Sequence, residues 1–576
     1  MSTTPDEQPG MAAWVRAAVP RGLAAAEALV VLGVLMVVGA RYGTAWGAAR
    51  AALFSRLDLA VLGFFAADVV LRLAVAERRL AHLRTWWFDA MLLLAVAQVL
   101  AGEQWAWAWF LGREAAVLVF VPSVRYRRLV SRLWLHPARL MFGTFAGAIL
   151  VGTVLLALPV ATPDGEGASP VDALFTATSA TCVTGLIVRD TGTQFTLFGQ
   201  LVILVLIQLG GLGIMTFSVS LVLVMGQRLS KSREVVMQDM LDQDSIVEVL
   251  TLVRFIALTT LVIEALGAAA LYVGFAAQRG YSLGTLYVAI FHSVSAFCNA
   301  GFSLFSTSLM DYRGELWLNL TFMALIIMGG LGFPVLRDLA AAAKPRHLGE
   351  APPRRLRVQT KVVLVTSAAL LMLGATLFYV FERHGQLDGL RPGERVLASW
   401  FQSVTARTAG FNTVDMAKVG APALVLLMAL MFVGASPGST GGGVKTTTLA
   451  ILIQTVRAAF RRRPQVELFR RTVPLSVVRR AVVLVVLSQL LLLVALLALA
   501  SVEKQPFEAL AFEAVSAFGT VGLSAGATPN LTTAGRLIIT ALMFVGRLGP
   551  LTFAFSLLRE ARAAAYEYPE ERVMVG

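Results

Sequence analysis

Inside an otherwise oily chain, one short polar break occurs four times. It reads Ser179-Ala-Thr-Cys-Val-Thr-Gly-Leu186 first, then Ser295-Ala-Phe-Cys-Asn-Ala-Gly-Phe302, Thr405-Ala-Arg-Thr-Ala-Gly-Phe411 and Ser516-Ala-Phe-Gly-Thr-Val-Gly-Leu523. Each copy has a small-residue lead-in, a glycine and a hydrophobic residue after it. The glycines Gly185, Gly301, Gly410 and Gly522 recur about 110 residues apart, and a near-constant interval marks four copies of one unit. Each unit would present its loop to a common centre, with the rest of the chain as scaffold.

The scaffold is a membrane protein. Hydrophobic residues make up 57% of the chain and charged ones 15%, and apolar runs of about 18 residues or more, each able to cross a bilayer as a helix, recur along it. The acidic, polar start Met1-Ser-Thr-Thr-Pro-Asp-Glu7 and the absence of a small-residue cleavage site read as a retained N-terminus. A net charge of +14 would suggest nucleic acid for a soluble protein. Here the basic residues sit in short connectors between apolar runs, where the positive-inside rule accounts for them. Cys182 and Cys298 occupy equivalent places of the motif and read as small, weakly polar loop residues rather than redox or metal groups.

Residues 1–137 hold four apolar segments, at about 22–41, 57–76, 87–101 and 105–124. Asp68, Asp89 and the arginines around the fourth segment resemble the voltage-sensor-like four-helix bundle of cation channels. A working sensor needs arginines every third residue through the membrane. Only Arg113 lies inside the fourth segment, and Arg125, Arg127, Arg128 and Arg132 flank it, so a structural or regulatory bundle is the expectation.

From 138 the fourfold pattern runs in units of about 138–249, 250–357, 358–475 and 476–560, before a tail at 561–576. Each unit is an apolar span, a short amphipathic stretch entering the glycine loop, and a second apolar span. The second spans are expected at 197–225, 316–341, 421–458 and 535–558. The short stretches are too brief to cross. They suit re-entrant half-helices followed by non-helical backbone, tolerated at membrane depth only where it lines a watery path. Arg228, Lys231, Arg233, Lys344, Arg346, Arg354, Arg355, Arg357, Arg457, Arg461, Arg462, Arg463, Arg470 and Arg471 follow second spans. That asymmetry puts both termini in the cytoplasm and opens the loops to the outside. The expected fold class is an all-α polytopic membrane protein: four membrane–pore-loop–membrane repeats around one ion pore, preceded by four extra transmembrane helices.

Four such loops can present a ring of backbone carbonyls in place of a cation's hydration shell. Glycine suits that strand because it reaches conformations closed to other residues. Each half-helix aims its negative dipole end at the ring. The loops hold no carboxylate, which argues against Ca²⁺ or Mg²⁺ and against anion passage. Glycines that merely pack helices together are the plainer alternative, and four copies at matched spacing argue against it. The candidate filter is Cys182, Val183, Thr184, Gly185; Cys298, Asn299, Ala300, Gly301; Arg407, Thr408, Ala409, Gly410; and Gly519, Thr520, Val521, Gly522. Arg407 reads as a buttress behind its loop, while Asn299 and Thr184 could buttress or meet ions. The third loop is one residue shorter between lead-in and glycine, a departure from fourfold pattern.

These stretches, with Gly434-Ala-Ser-Pro-Gly-Ser-Thr-Gly-Gly-Gly-Val-Lys-Thr-Thr447, resemble in order the Trk/Ktr/HKT superfamily of potassium transporters over about 138–560. The last stretch is closest to the Ktr-type membrane subunit. The resemblance implies a K⁺-conducting pore in a bacterial plasma membrane, a homodimer with one pore per protomer, and a cytosolic, nucleotide-binding RCK partner ring. It implies K⁺ as permeant ion at the carbonyls of Thr184, Asn299, Thr408 and Val521, with no covalent cofactor and no enzymatic activity, and leaves open whether Na⁺ activates or permeates. The N-terminal bundle lies outside the family core.

The 434–445 stretch interrupts the third unit's second span. It resembles a phosphate-binding Walker loop, but Val444 separates Gly443 from Lys445 and breaks that motif. Gly438, Ser439, Gly441, Gly442 and Gly443 disfavour helix, and the resemblance makes Gly438, Ser439, Thr440, Gly441, Gly442, Gly443 and Lys445 a gate below the filter. Arg547, deep in the last span, is functional by default. The resemblance faces it toward that gate, and Glu264 is the alternative, a buried acid that would pair with it. A voltage-responsive cation channel and a two-halved solute carrier are competing classes. Arginine periodicity disfavours the first, and four units in one sense disfavour the second.

Overall fold

The computed structural model describes residues 137–213, 246–343, 356–550 and 571. The four apolar segments of 1–137, the basic connectors at 214–245 and 344–355, and most of the 561–576 tail lie outside the described residues. The chain divides into two compact units, and the second (Leu133–Ala157, Ala161–Pro163, Ala168–Gly576) contains every helix described below.

The helices follow the apolar pattern in order. They are α1 (Pro137–Leu156), α2 (Pro170–Thr181), α3 (Leu197–Leu212), α4 (Ile246–Arg279), α5 (Leu283–Phe297), α6 (Leu316–Leu331), α7 (Phe333–Ala343), α8 (Val358–Glu382), α9 (Pro392–Thr405), α10 (Ala421–Phe432), α11 (Thr446–Phe460), α12 (Leu475–Val502), α13 (Phe507–Gly519) and α14 (Thr533–Leu548). Thr251–Arg279 in α4, α8 and α12 are each long and apolar enough to cross a bilayer, and α6 with α7 passes the same test as a bent pair. Exposed Leu258, Leu261, Leu266, Val486, Leu490, Leu493 and Leu497 run down α4 and α12. Apolar belts of that extent are foreign to a surface in water and natural to one in lipid.

Local chemistry sets the starts of the short helices. Ser169 and Ser282 accept the backbone N–H of Asp172 at 3.2 Å and Thr285 at 3.1 Å, capping α2 and α5. Pro170 and Pro392 fill first-turn positions of α2 and α9 where no N–H is needed. Each short helix packs against its unit's preceding span: α2 on α1, α5 on α4, α9 on α8 and α13 on α12.

Two elements differ from the expectation. The apolar stretch 316–341 is no single span: the chain bends by 102° between α6 and α7. Gly332 at the corner has φ +91°, Phe333 N donates to Gly438 O at 2.9 Å, and Pro334 follows. The chain turns because a neighbouring backbone takes the bond that would have continued the helix. The other difference, among the described residues, is a two-residue antiparallel hairpin, Glu467–Leu468 with Arg471–Thr472, in a chain expected to be all-α.

The buried core contains an aromatic cluster around His292, which stacks on Phe305 with ring centroids 4.6 Å apart and meets Phe275, Phe291 and Phe322 edge-on or tilted. It backs the second and third glycine loops through Phe411.

Candidate functional site

Helices α2, α5, α9 and α13 hand their chains to the four loops in the same way. The residue two before each glycine, Val183, Asn299, Thr408 or Thr520, has a φ of +57°, +60°, +76° or +49°. The glycines Gly185, Gly301, Gly410 and Gly522 follow at +93°, +72°, +82° and +93°. Non-glycine residues seldom enter that region, so four matching instances are one repeated backbone shape.

The lead-in residue closes each loop on itself. Thr184 N, Ala300 N and Val521 N donate to the carbonyls of Ser179, Ser295 and Ser516 at 2.8, 2.7 and 2.9 Å. Ser179 and Ser295 also donate their hydroxyls forward to Leu186 O and Phe302 O, both at 2.7 Å. In the shorter third loop Thr405 does the same work: its carbonyl accepts from Ala409 N at 2.9 Å and its hydroxyl donates to Phe411 O at 2.6 Å. The missing residue is therefore absorbed before the glycine, and the loop keeps the shape of the other three.

The loops meet in a closed ring. A Cβ placed on Gly185 would strike Ala300 O, one on Gly301 would lie 2.7 Å from Ala409 O, one on Gly410 2.5 Å from Val521 O, and one on Gly522 would strike Thr184 O. Each glycine thus abuts the carbonyl of the next loop, in chain order, and the fourth returns to the first. The equivalent carbonyls are those of Thr184, Ala300, Ala409 and Val521. This corrects the register of the expected set, which mixed two levels: Asn299 and Thr408 belong one residue deeper, with Val183 and Thr520.

That deeper level rests on the break between α10 and α11. Val433 and Val444 pair at its neck, and Val444 N donates to Phe432 O at 3.2 Å. Gly438 and Gly443 take φ of +69° and +68°, which is why a helix cannot run through. Gly442 N donates to Thr520 Oγ1 at 3.0 Å, Thr440 Oγ1 to Phe297 O at 3.3 Å, and Gly441 packs against Thr408 with no room for a side chain. Asn299 and Thr408 hydrogen-bond each other at 3.0 Å. Lys445 Nζ folds back onto Gly441 O at 2.7 Å, whereas buried Ser439 Oγ has no hydrogen-bond partner among the described residues.

Arg547 ties this break to α3. One guanidinium nitrogen donates to Thr440 O and the other to Gly210 O at the end of α3. It sits in the last turn of α14, where a helix's negative end favours a cation. Glu264 does not pair with it. That carboxylate accepts from Gln208 Nε2 at 3.2 Å and lies 3.8 Å from Cys298 Sγ. Cys182 and Cys298 are both buried and free. Arg407 stands behind the third loop as a buttress, donating to Ser367 O at 3.5 Å and Gly434 O at 3.4 Å.

On the other face of the ring, Asp172 at the start of α2 pairs with Arg189 Nε at 3.2 Å and Arg536 Nη1 at 2.5 Å. Three loop exits are held by side chains of their own short helices. His292 contacts Ser303 Oγ at 3.1 Å, Gln402 Nε2 donates to Thr413 Oγ1 at 3.4 Å, and buried Glu513 accepts from Ser524 and Thr528 hydroxyls, both at 2.5 Å. The arrangement is a rigid collar of carbonyls with a hydrogen-bonded plug of backbone against one side.

Residues 149–563 match the family model TrkH, cation transport protein. The chain is 40% identical over 442 residues to Ktr system potassium uptake protein B of Bacillus subtilis, covering 76% of this chain and 96% of that one. The chain belongs to the TrkH family. It is also 40% identical over 463 residues to the potassium/sodium uptake protein NtpJ of Enterococcus hirae, covering 79% of this chain and all of the other. The crystal structure of the potassium transporter TrkH from Vibrio parahaemolyticus superposes with a TM-score of 0.59 at 19% identity, covering 83% of this chain and 97% of that one. The fold is shared.

For this TrkH-family member one part of the site went unread in the sequence. The second spans α3, α6 and α14 close on Gly210-Gly-Leu-Gly213, Gly329-Gly-Leu-Gly332 and Gly546-Arg-Leu-Gly549. A Cβ on the first glycine of each would strike the carbonyl of Thr181, Phe297 or Phe518, four residues before the loop glycine of the same unit. The motif is the seat on which the first, second and fourth loops rest, and its recurrence was the available signal.

Proposed function

We propose that this chain takes up K⁺ across the plasma membrane by letting the ion pass, dehydrated, through the ring of glycine-loop carbonyls. One observation carries the reading: four loops of one backbone shape close head to tail, with the carbonyls of Thr184, Ala300, Ala409 and Val521 at one level. A ring of carbonyls replaces the hydration shell of a monovalent cation, and the helix C-termini behind it add favourable dipoles. The relatives' names, which specify potassium uptake, support the same cargo.

In this reading the 433–445 break is the gate. It lies against Thr408 and Thr520 on one side of the ring, and Arg547 pins it while placing a positive charge on the cation's route. The chain acts as a homodimer with a pore in each protomer. A cytosolic RCK-type ring, binding a nucleotide and working through the basic connectors and the C-terminal tail, releases the pin. Both termini lie in the cytoplasm and the loops open outward.

The test is growth of a potassium-uptake-deficient bacterium on limiting K⁺, expressing the chain alone, with an RCK partner, and without residues 1–130. Rescue is the expected result, and dependence on the partner assigns the gate to it. No rescue in any form, with membrane expression confirmed, would refute the reading. ²²Na⁺ uptake in the same cells covers the cation that the Enterococcus relative's name adds.

A further inference from the structure

The side chain three residues before each loop's lead-in is buried, and in three units it bonds to the exit of its own loop. It is His292 in the second unit, Gln402 in the third and Glu513 in the fourth; in the first it is Thr176. His292 Nδ1 lies 2.8 Å from Val288 O, a carbonyl that can only accept, so Nε2 is the acceptor on this ring. It takes the Ser303 hydroxyl at 3.1 Å and Leu304 N at 3.4 Å. Gln402 Nε2 donates to Thr413 Oγ1 at 3.4 Å. Glu513 accepts from the Ser524 and Thr528 hydroxyls, both at 2.5 Å, and from Ala527 N at 3.3 Å. Thr176 Oγ1 has no hydrogen-bond partner among the described residues.

Three different side chains make one connection, so what recurs is the tie and not a charge or a ring. Ser303, Thr413 and Ser524 stand two or three residues past their glycines, on the strand that leaves the ring carbonyl of Ala300, Ala409 or Val521. The lead-in already holds the near side of each carbonyl through Ala300 N, Ala409 N and Val521 N. The tie fixes the far side. The first loop is built the other way round: a short hydroxyl, Thr176, stands on the helix, and a long apolar side chain, Ile187, stands where Ser303 and Ser524 stand in theirs. Ile187 packs against the buried core. Among the described residues, the side-chain tie from this exit to α2 lies farther out, from Arg189 Nε to Asp172 at 3.2 Å. Apolar packing is non-directional, whereas a hydrogen bond sets a distance and an angle.

We propose that His292, Gln402 and Glu513 are positioning residues for ion selection, and that the first loop, which lacks their tie, is the compliant quarter of the ring. They touch no ion. A ring of carbonyls that closes on the smaller Na⁺ replaces its hydration shell as well as that of K⁺ and loses discrimination. Each tie stiffens its loop against that closure, and the loop without one yields first. The inference rests on the pore reading above.

The experiment measures ⁸⁶Rb⁺ and ²²Na⁺ uptake in proteoliposomes, and K⁺ and Na⁺ binding to the purified protein by calorimetry. Ser303→Ala and Thr413→Val cut the second and third ties, and Ser303→Thr and Thr413→Ser keep a hydroxyl there. Thr176→Gln/Ile187→Ser gives the first loop the arrangement of the others. Each cut is expected to lower the preference for K⁺ over Na⁺ about threefold, by raising Na⁺ uptake and binding, and the hydroxyl variants to retain it. The first-loop exchange is expected to raise the preference by a similar factor. Wild-type preference in both cut variants would overturn the proposal, as would a fall in unfolding midpoint with no change in preference. A loss shared equally by the hydroxyl variants would refute the tie as its cause. If a cut variant fails to accumulate, the other and the first-loop exchange decide: unchanged preference in a folded protein refutes the role. Wild type that binds K⁺ but does not transport it would instead count against the pore reading.

Discussion

Replacing Arg547 with glutamine removes a two-pronged grip on backbone, and the size of the effect follows from what it holds. Its two nitrogens donate to Thr440 O in the 433–445 break and to Gly210 O at the end of α3. A hydrogen bond from a charged group contributes about 1.5–3 kcal/mol, so the pair contributes about 3–6 kcal/mol in place. Glutamine can recover one neutral bond of about 1 kcal/mol, and water takes part of the remainder once the break moves. A net loss of about 2–3 kcal/mol remains, which shifts the equilibrium between held and released segment by about 30- to 150-fold. The assay is ⁸⁶Rb⁺ flux into proteoliposomes without any cytosolic partner, where Arg547→Gln should leak by that factor over wild type. Arg547→Lys separates grip from charge. A lysine keeps the charge but has no planar fork for two carbonyls, so a grip predicts an intermediate leak and a pure charge barrier predicts none. Flux in Arg547→Gln within twofold of wild type would refute the reasoning.

Three further outcomes are expected. Gly185→Ser forces a side chain into a φ of +93° and against Ala300 O, so the ⁸⁶Rb⁺/²²Na⁺ uptake ratio should fall about tenfold; an unchanged ratio would remove the first loop from selection. Thr520→Val leaves Gly442 N buried without its 3.0 Å acceptor, a penalty of about 1–3 kcal/mol. Partner-independent flux should rise with Thr520→Val and stay low with Thr520→Ser. Asp172→Asn weakens the clasp with Arg189 and Arg536, which should lower the unfolding midpoint in detergent and leave the uptake ratio alone; a changed ratio with unchanged midpoint would contradict that division.

The glycine loops were legible because their constraint is local. A backbone that must take positive φ selects glycine, and the residues on either side follow a pattern short enough to recur in sequence. The same holds for the 434–445 stretch, where clustered glycines announce non-helical chain. The level of each carbonyl was legible only as an offset from the glycine. Counting back from the four glycines would have put Ala300 and Ala409 with Thr184 and Val521; what the sequence does not carry is that this residue's carbonyl is the one each neighbouring glycine abuts. The corner at Gly332 was hidden for a related reason: its cause is a bond from Phe333 N to Gly438 O, more than a hundred residues away. Glu264 was visible as a buried acid, but its separation from Arg547 depends on α3 and α5 standing where they do.

Three asymmetries of the ring fall in one place, and that has a consequence for control. In a chain built on four like loops, the shortened lead-in at Thr405, the break at 433–445 and the arginine at 547 are three departures from fourfold likeness that meet at the ring. The arginine occupies the position held by Gly211 and Gly330 in the corresponding motifs. A glycine there leaves space, whereas the arginine fills it and reaches across to the break. The break in turn contacts Thr408 and Thr520 and, through Thr440, Phe297 at the end of α5. Three loops therefore touch the break directly, and the first is tied in through Arg547 and Gly210. Any displacement of the break must exchange hydrogen bonds with the residues that set the shape of the ring. With the break as the gate and the ring as the filter, as proposed above, opening and ion choice would be coupled. Variants that loosen the break, Thr520→Val above all, should blur K⁺ over Na⁺ as they raise flux, while the same flux gained by partner addition in wild type sets the ratio against which that blur is measured.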